Sequence, residues 1–124
     1  MKDNIVKTKS FDFAIRIVKL YQYLCTDKKE FILSKQLLRS GTSIGAMIRE
    51  AEHAESKNDF IHKFSIAQKE ANEALYWLEL LKATDYLNEK EFENINNDAT
   101  SILKLITSIL KTTKQQLVPK KIPI

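Results

Sequence analysis

Two glycines, two prolines and one cysteine are all that this chain of 124 residues contains of those three types. With so few backbone punctuators it cannot make many tight turns, which argues against β-rich folds and for a few long helices joined by short links. Cys25 stands alone and can form no intrachain disulfide. Its apolar helical position reads as a small buried hydrophobe in a reducing compartment. No run of eighteen apolar residues is present, so no membrane span is expected. The first ten residues hold lysines but no uninterrupted apolar segment follows them, so no secretory signal is expected and the reading is cytoplasmic. No phosphate-cradling glycine loop or nucleophile–base pair is seen, so an enzyme is not expected, nor is a cofactor. The length fits one domain, able to bury roughly two-thirds of its unfolded surface.

What is present is helical periodicity. Phe60, Phe64, Ala67, Ala71, Ala74, Leu78 and Leu81 recur at alternating spacings of four and three, which places them on one seam of a helix. A second seam runs through Ile66, Glu70, Glu73, Trp77 and Leu80, apolar at its ends and acidic in its middle. A helix with two inward seams is expected to be central in a bundle. Ahead of it, a helix is expected over 10–25, with Ser10 as N-cap, and residues 1–9 are expected to be polar and frayed. Phe11, Ala14, Val18, Tyr21 and Cys25 form one seam of that helix, and Phe13, Ile17, Leu20 and Leu24 another. That is more apolar surface than one helix of a simple bundle can hide, which points to an interaction face.

A second helix is expected over 31–56 with Leu37, Leu38, Ile44, Ile48 and Ala51 inward. Gly41 and Gly45 lie inside it, each costing about 1 kcal/mol of helix stability relative to alanine. They read as a close helix crossing or a mild bend. A membrane-dimer reading fails because Arg39, Arg49 and Glu50 surround them. Lys57 and Asn58 read as a short turn with Asn58 or Asp59 capping a third helix over 59–83. A fourth runs over 89–117 with Phe92, Ile95, Ala99, Ile102, Ile106 and Ile109 inward, followed by a basic tail over 118–124. Short links force antiparallel neighbours, so the fold expected is an all-α, up-down-up-down four-helix bundle in a single domain.

The net charge is +4, unevenly spread. Residues 1–40 hold nine Lys/Arg against four Asp/Glu, residues 50–98 hold five against twelve, and residues 111–124 hold four lysines and no acid. In an up-down bundle the chain ends and the second turn share one end. Lys2, Lys7, Lys9, Lys111, Lys114, Lys120 and Lys121 are therefore expected to converge as a footprint for phosphate backbones. Glu52, Glu55 and Asp59 sit nearby and dilute the field, and lysine-rich tails also serve plain solubility.

With a turn at 57–58, Arg39, Ser43, Glu70 and Glu73 are expected to meet in a partly buried network, with Gly45 facing Glu70. Arg49 and Glu50 would extend the network or face a neighbouring subunit. A paired-carboxylate acid–base site is the sharper alternative, but nothing accompanies it. Glu50 and His53 have a Glu-x-x-His spacing, Asp59 and His62 nearly repeat it, and His53 would face His62. Further carboxylate ligands are missing, so no metal site is assigned. Arg49-x-x-x-His53 is one residue short of the motif of helical ribonucleases of the HEPN type. Trp77 beside Tyr76 could stack on bases, but amid Leu75, Leu78 and Leu80 it reads as core or subunit interface.

The stretches LSKQLLRSGTSIGAMIREA (33–51) and DFIHKFSIAQKEANEALYWLELL (59–81) resemble the bacterial four-helix-bundle family of 23S rRNA intervening-sequence proteins. That family includes the accessory variability determinant of diversity-generating retroelements. The resemblance rests most on Gln36, Leu37, Arg39, Thr42, Ser43, Ile44, Ile48 and Glu50, with Phe60, Ala67 and Glu73. Met47 stands where many members have asparagine, which makes this neighbourhood more apolar. The resemblance implies a homo-oligomer, a five-fold ring of bundles. For the retroelement branch it also implies binding of RNA or DNA and of a reverse transcriptase. A pure protein scaffold is the alternative.

Overall fold

In a computed structural model that describes residues 2–118, with side chains from residue 5 onward, the chain forms four helices. They are α1 (Lys2–Thr26), α2 (Leu33–Ala51), α3 (Lys57–Ala83) and α4 (Glu89–Leu117). Each helix packs on its neighbours in sequence, and α4 closes the bundle against α1. Across the diagonals α1–α3 and α2–α4 no Cα atoms of the described helices come within 8 Å. The architecture is an antiparallel four-helix bundle. Among the described residues no helix is long and apolar enough to cross a membrane.

The expectation that α3 is central is corrected. On a square of four rods each helix has two neighbours, and those of α3 are α2 and α4, with α1 across the diagonal. Its first seam does enter the core. Phe64, Ala67, Ala71, Ala74, Leu78 and Leu81 are buried, and half-buried Phe60 stacks on Phe64 at 4.5 Å between ring centres. The second seam stays half-exposed along the edge it shares with α2. Val6, Phe13, Ile17 and Leu24 of α1 complete the core with Leu37, Ile44 and Ile48 of α2 and Ile95, Ala99, Ile102 and Ile106 of α4.

Three boundaries differ from the periodicity reading, each for a local reason. First, α1 begins at Lys2 because Val6 extends the apolar stripe by two turns into the core. Ser10 is no N-cap. It is buried in mid-helix, where its hydroxyl donates to the Lys7 carbonyl. Second, α2 starts after Phe31 and Ile32, and its cap comes from Glu30. That buried carboxylate accepts from the backbone N–H groups of Ile32, Leu33 and Ser34 at 3.1, 3.0 and 2.7 Å. The Ser34 hydroxyl donates back to the Glu30 carbonyl. Third, α2 stops at Ala51, not residue 56, because Ser56 caps α3 by accepting from Asp59 N–H. Asp59 in turn accepts from Glu55 N–H. Ser-x-x-Asp is a readable N-cap signal, although Asp59 returns its bond to Glu55 and not to Ser56, and it overrides the expected turn at 57–58. Asn88 and Glu91 form a reciprocal box at the start of α4.

The two glycines explain how α1 and α2 approach each other. A Cβ added at Gly41 would lie 2.9 Å from Ile17 Cγ1, and one at Gly45 would lie 3.4 Å from the Ser10 carbonyl oxygen. Gly45 therefore faces Ser10 of α1 and not Glu70. Both glycines being committed to this crossing, the links turn on other residues: Lys29 and Asp85 take left-handed backbone with φ of 54° and 68°. At the latter, Asp85 N–H donates to the Lys82 carbonyl and Tyr86 N–H to the Leu81 carbonyl, a Schellman ending for α3.

Two predictions follow from these contacts. Gly41→Ala gains helix propensity but forces the buried Ile17 to move, so a net loss of about 1 kcal/mol is expected in urea unfolding. Gly45→Ala meets only ordinary contact and should stabilise by about 0.5–1 kcal/mol, and the opposite order of the two variants would contradict the crossing geometry. Glu30→Gln should cost about 1–2 kcal/mol at neutral pH, the upper part of the capping range. Burial acts to raise the Glu30 pKa, but the N–H groups of Ser34, Leu33 and Ile32 outweigh it and hold the carboxyl below its ordinary value. Its contribution is thus present above the unfolded pKa of about 4.3 and lost as pH falls through the lower folded value. Acid titration of both proteins should show the gap closing in that window.

Candidate nucleic-acid interface

The lysines expected to converge divide into four groups. Lys7 lies at the same end as the second turn, but it is tied to Glu52 at 2.9 Å. The hydrogen bond from Lys7 is the leading reason that the Glu52 carboxyl sits below its ordinary pKa. Lys9 points across to α4, its Nζ 3.4 Å from Ser101 Oγ. Lys111 and Lys114, on the last turns of α4, are exposed and make no ion pair among the described residues. The side chain of Lys2, and all of Lys120 and Lys121, lie outside the described residues. The structure thus sets α1 beside α4 at Lys9 and Ser101, while Glu52 pairs with Lys7 and offsets its charge.

On the α2–α3 edge, Arg39 bridges both carboxylates of the half-exposed seam. Its Nη1 donates to Glu70 at 2.9 Å and its Nη2 donates to Glu73. Trp77 Nε1 donates to the same Glu73 oxygen at 3.0 Å, and the Tyr76 ring meets the Trp77 ring edge-on at 5.0 Å. The Trp77 bond is the leading cause holding the Glu73 carboxyl below its ordinary pKa, with Arg39 adding to it against partial burial. Three expected members lie elsewhere. The Ser43 hydroxyl donates to the Arg39 carbonyl of its own helix, as helix-interior serines do. Glu50 pairs with Lys63 at 3.0 Å. Arg49 stacks over the Phe11 ring of α1, 4.9 Å from its centre. The guanidinium of Arg49 points to the α1 side of α2 while Arg39 points to the α3 side, so one network cannot hold both.

The histidine arrangement does not form. His53 sits in the turn after α2, so Glu50 and His53 no longer share a helical face, and both histidines are exposed. Among the described residues no group of three His, Cys, Asp or Glu side chains is placed to hold a metal ion.

With this geometry in view, residues 2–108 match the model of the 23S rRNA-intervening sequence protein family. The chain belongs to that family. It is also similar to a protein of unknown function from the S23 ribosomal protein family of Bacteroides thetaiotaomicron, known from a crystal structure. The two share 62% identity over 90% of this chain and 99% of the other, with a TM-score of 0.89. No curated protein matches the chain. As a family member it carries the bundle in common, and neither likeness assigns a chemistry to it.

The sole tryptophan makes the α2–α3 edge easy to follow. Because the folded Glu73 pKa is lowered, its carboxylate stabilises the fold above the unfolded pKa of about 4.3, and that stabilisation is lost as pH falls through the folded value. Trp77 fluorescence should therefore change in a step below the ordinary glutamate range, and Glu73→Gln should remove the step. A step that survives the substitution would place the titrating group elsewhere.

Proposed function

We propose that this chain is a non-enzymatic subunit of a homo-oligomer, a ring of five as the family resemblance implies, that binds RNA or DNA as an adaptor through its basic surface. One observation carries the assembly. Phe11, Ile15 and Val18 are 49, 41 and 39% exposed on the side of α1 opposite its core stripe. Their spacing of four and three makes them one continuous ridge, and such a ridge on a surface helix marks a contact with another protein surface. Multiplying Lys111 and Lys114 around a closed assembly raises the local positive potential that a single copy dilutes with Glu52 and Glu55. A second reading is a scaffold that docks a partner protein, such as a reverse transcriptase, without touching nucleic acid. It is favoured by Phe31 and Ile32, 57 and 76% exposed at the opposite end of the bundle.

Light scattering at micromolar concentration should report an oligomer. Ile15→Glu combined with Val18→Glu should give a folded single subunit with unchanged helix content. A monomeric natural chain overturns the assembly. A gel shift with purified protein at low ionic strength separates the two readings, since the scaffold gives none.

A further inference from the structure

Carboxylates are unevenly placed along the chain, which has acid-free stretches over 13–26, 31–49, 60–69 and 99–124, and the last two of these meet in the fold. After Asp98 no acidic residue occurs to the end of the chain, and in α3 none occurs between Asp59 and Glu70. In sequence these stretches are separate, and the second lies within the acidic middle of the chain. The fold sets them side by side: Gln68 Nε2 of α3 donates to Thr107 Oγ1 of α4 at 3.1 Å. Along α4, Asn97, Ser101, Lys104, Ser108 and Lys111 follow at spacings of four and three, so they form one outward stripe opposite the buried Ile95, Ala99, Ile102, Ile106 and Ile109. A surface depression is lined there by Asn97, Thr100, Ser101, Lys104, Leu105 and Ser108. Lys104 and Lys111 are exposed and engage no carboxylate among the described residues, whereas Lys7, Lys63 and Lys82 are each held by a glutamate. Towards α1 the face is bounded by Asp12 and by Asp98, the latter paired with Arg16.

We infer that this α4 face, with the adjoining edge of α3, is the track along which a nucleic-acid phosphodiester backbone lies. The inference rests on the nucleic-acid reading above and relocates its contact from the bundle tip to the side of α4. Lys104 and Lys111 stand two helical turns apart on one line, about 10 Å along the axis. Their ammonium groups do not converge on a point, as a site for a compact anion requires, but repeat along a line as an extended polyanion does. Asn97 and Ser101 extend the line on the N-terminal side of Lys104 with a short amide and a short hydroxyl, polar groups of little bulk of the kind that contact phosphate oxygens. Leu105 is the sole large apolar group in the depression, too little for the apolar centre of a protein interface.

The test is fluorescence anisotropy with a labelled RNA hairpin and a DNA hairpin of the same sequence, each titrated across a salt series. Lys104→Glu should lower affinity roughly tenfold on both and reduce the slope of log K against log salt by about one. Lys90→Glu makes the same charge change on an exposed residue of α4 among Glu89, Glu91 and Glu93, and should leave both unchanged. Natural chain that binds, with Lys104→Glu binding equally well or Lys90→Glu weakening it as much, overturns the track alone. Loss confined to one of the two polymers overturns the phosphate assignment. A natural chain that binds neither hairpin at low salt overturns the underlying reading as well.

Discussion

The close approach of Ile17 to Gly41, where α1 crosses α2, constrains everything around it. Where a side chain leaves no room for a Cβ on the facing helix, the rotation of the two helices about their own axes is set as well as their distance. With α1 held in that rotation, Phe13, Ile17 and Leu24 enter the core. Phe11, Ile15 and Val18 are left facing away from it. Roughly half a rotation of α1 about its axis would hide the second set and expose the first. The surplus apolar ridge is thus a consequence of the crossing, and the helix cost of Gly41 is offset by the packing it permits.

The charges answer to the same frame. Antiparallel pairing places Arg39 between Glu70 and Glu73, and Lys63 beside Glu50, so the carboxylates of the α2–α3 edge are largely compensated locally. Such half-exposed pairs contribute little to stability individually, and their effect is to hold register along an edge where packing is loose. The α3–α4 edge follows the opposite rule over its C-terminal half. There amides and hydroxyls meet one another and lysines go uncompensated, which concentrates positive potential where the net charge of the chain gives no hint of it.

Where periodicity and capping chemistry agree, the residues alone locate the structure. The buried seam of α3 is legible from Phe64 to Leu81 because six apolar positions at helical spacing leave one solution. Where the two conflict, tertiary contact decides. Ser10 has the chemistry of a cap, yet Val6 lies one turn before it and is worth more buried than solvated, so the helix runs on. Phe31 and Ile32 look like the start of α2, but Glu30 reaches past them to the N–H groups of Leu33 and Ser34 and fixes the start beyond. The cap that Ser56 places on Asp59 N–H was readable in principle, and it shortens α2 by five residues relative to its apolar pattern.

From sequence alone come the all-α class, the four rods, their antiparallel order and the family, because these depend on spacing, on the rarity of glycine and proline, and on local motifs. The candidate site is legible only in part. That Lys111 and Lys114 share an end with the start of α1 follows from topology, but that Lys7 is neutralised by Glu52 does not. Nor does any spacing rule place Gln68 beside Thr107, part Arg49 from Arg39, or turn Phe11 outward. Those outcomes depend on the rotation of each helix about its axis, which is set by contacts between residues far apart in the chain. A one-dimensional pattern records which side chains share a face, and only the packed bundle decides what that face meets.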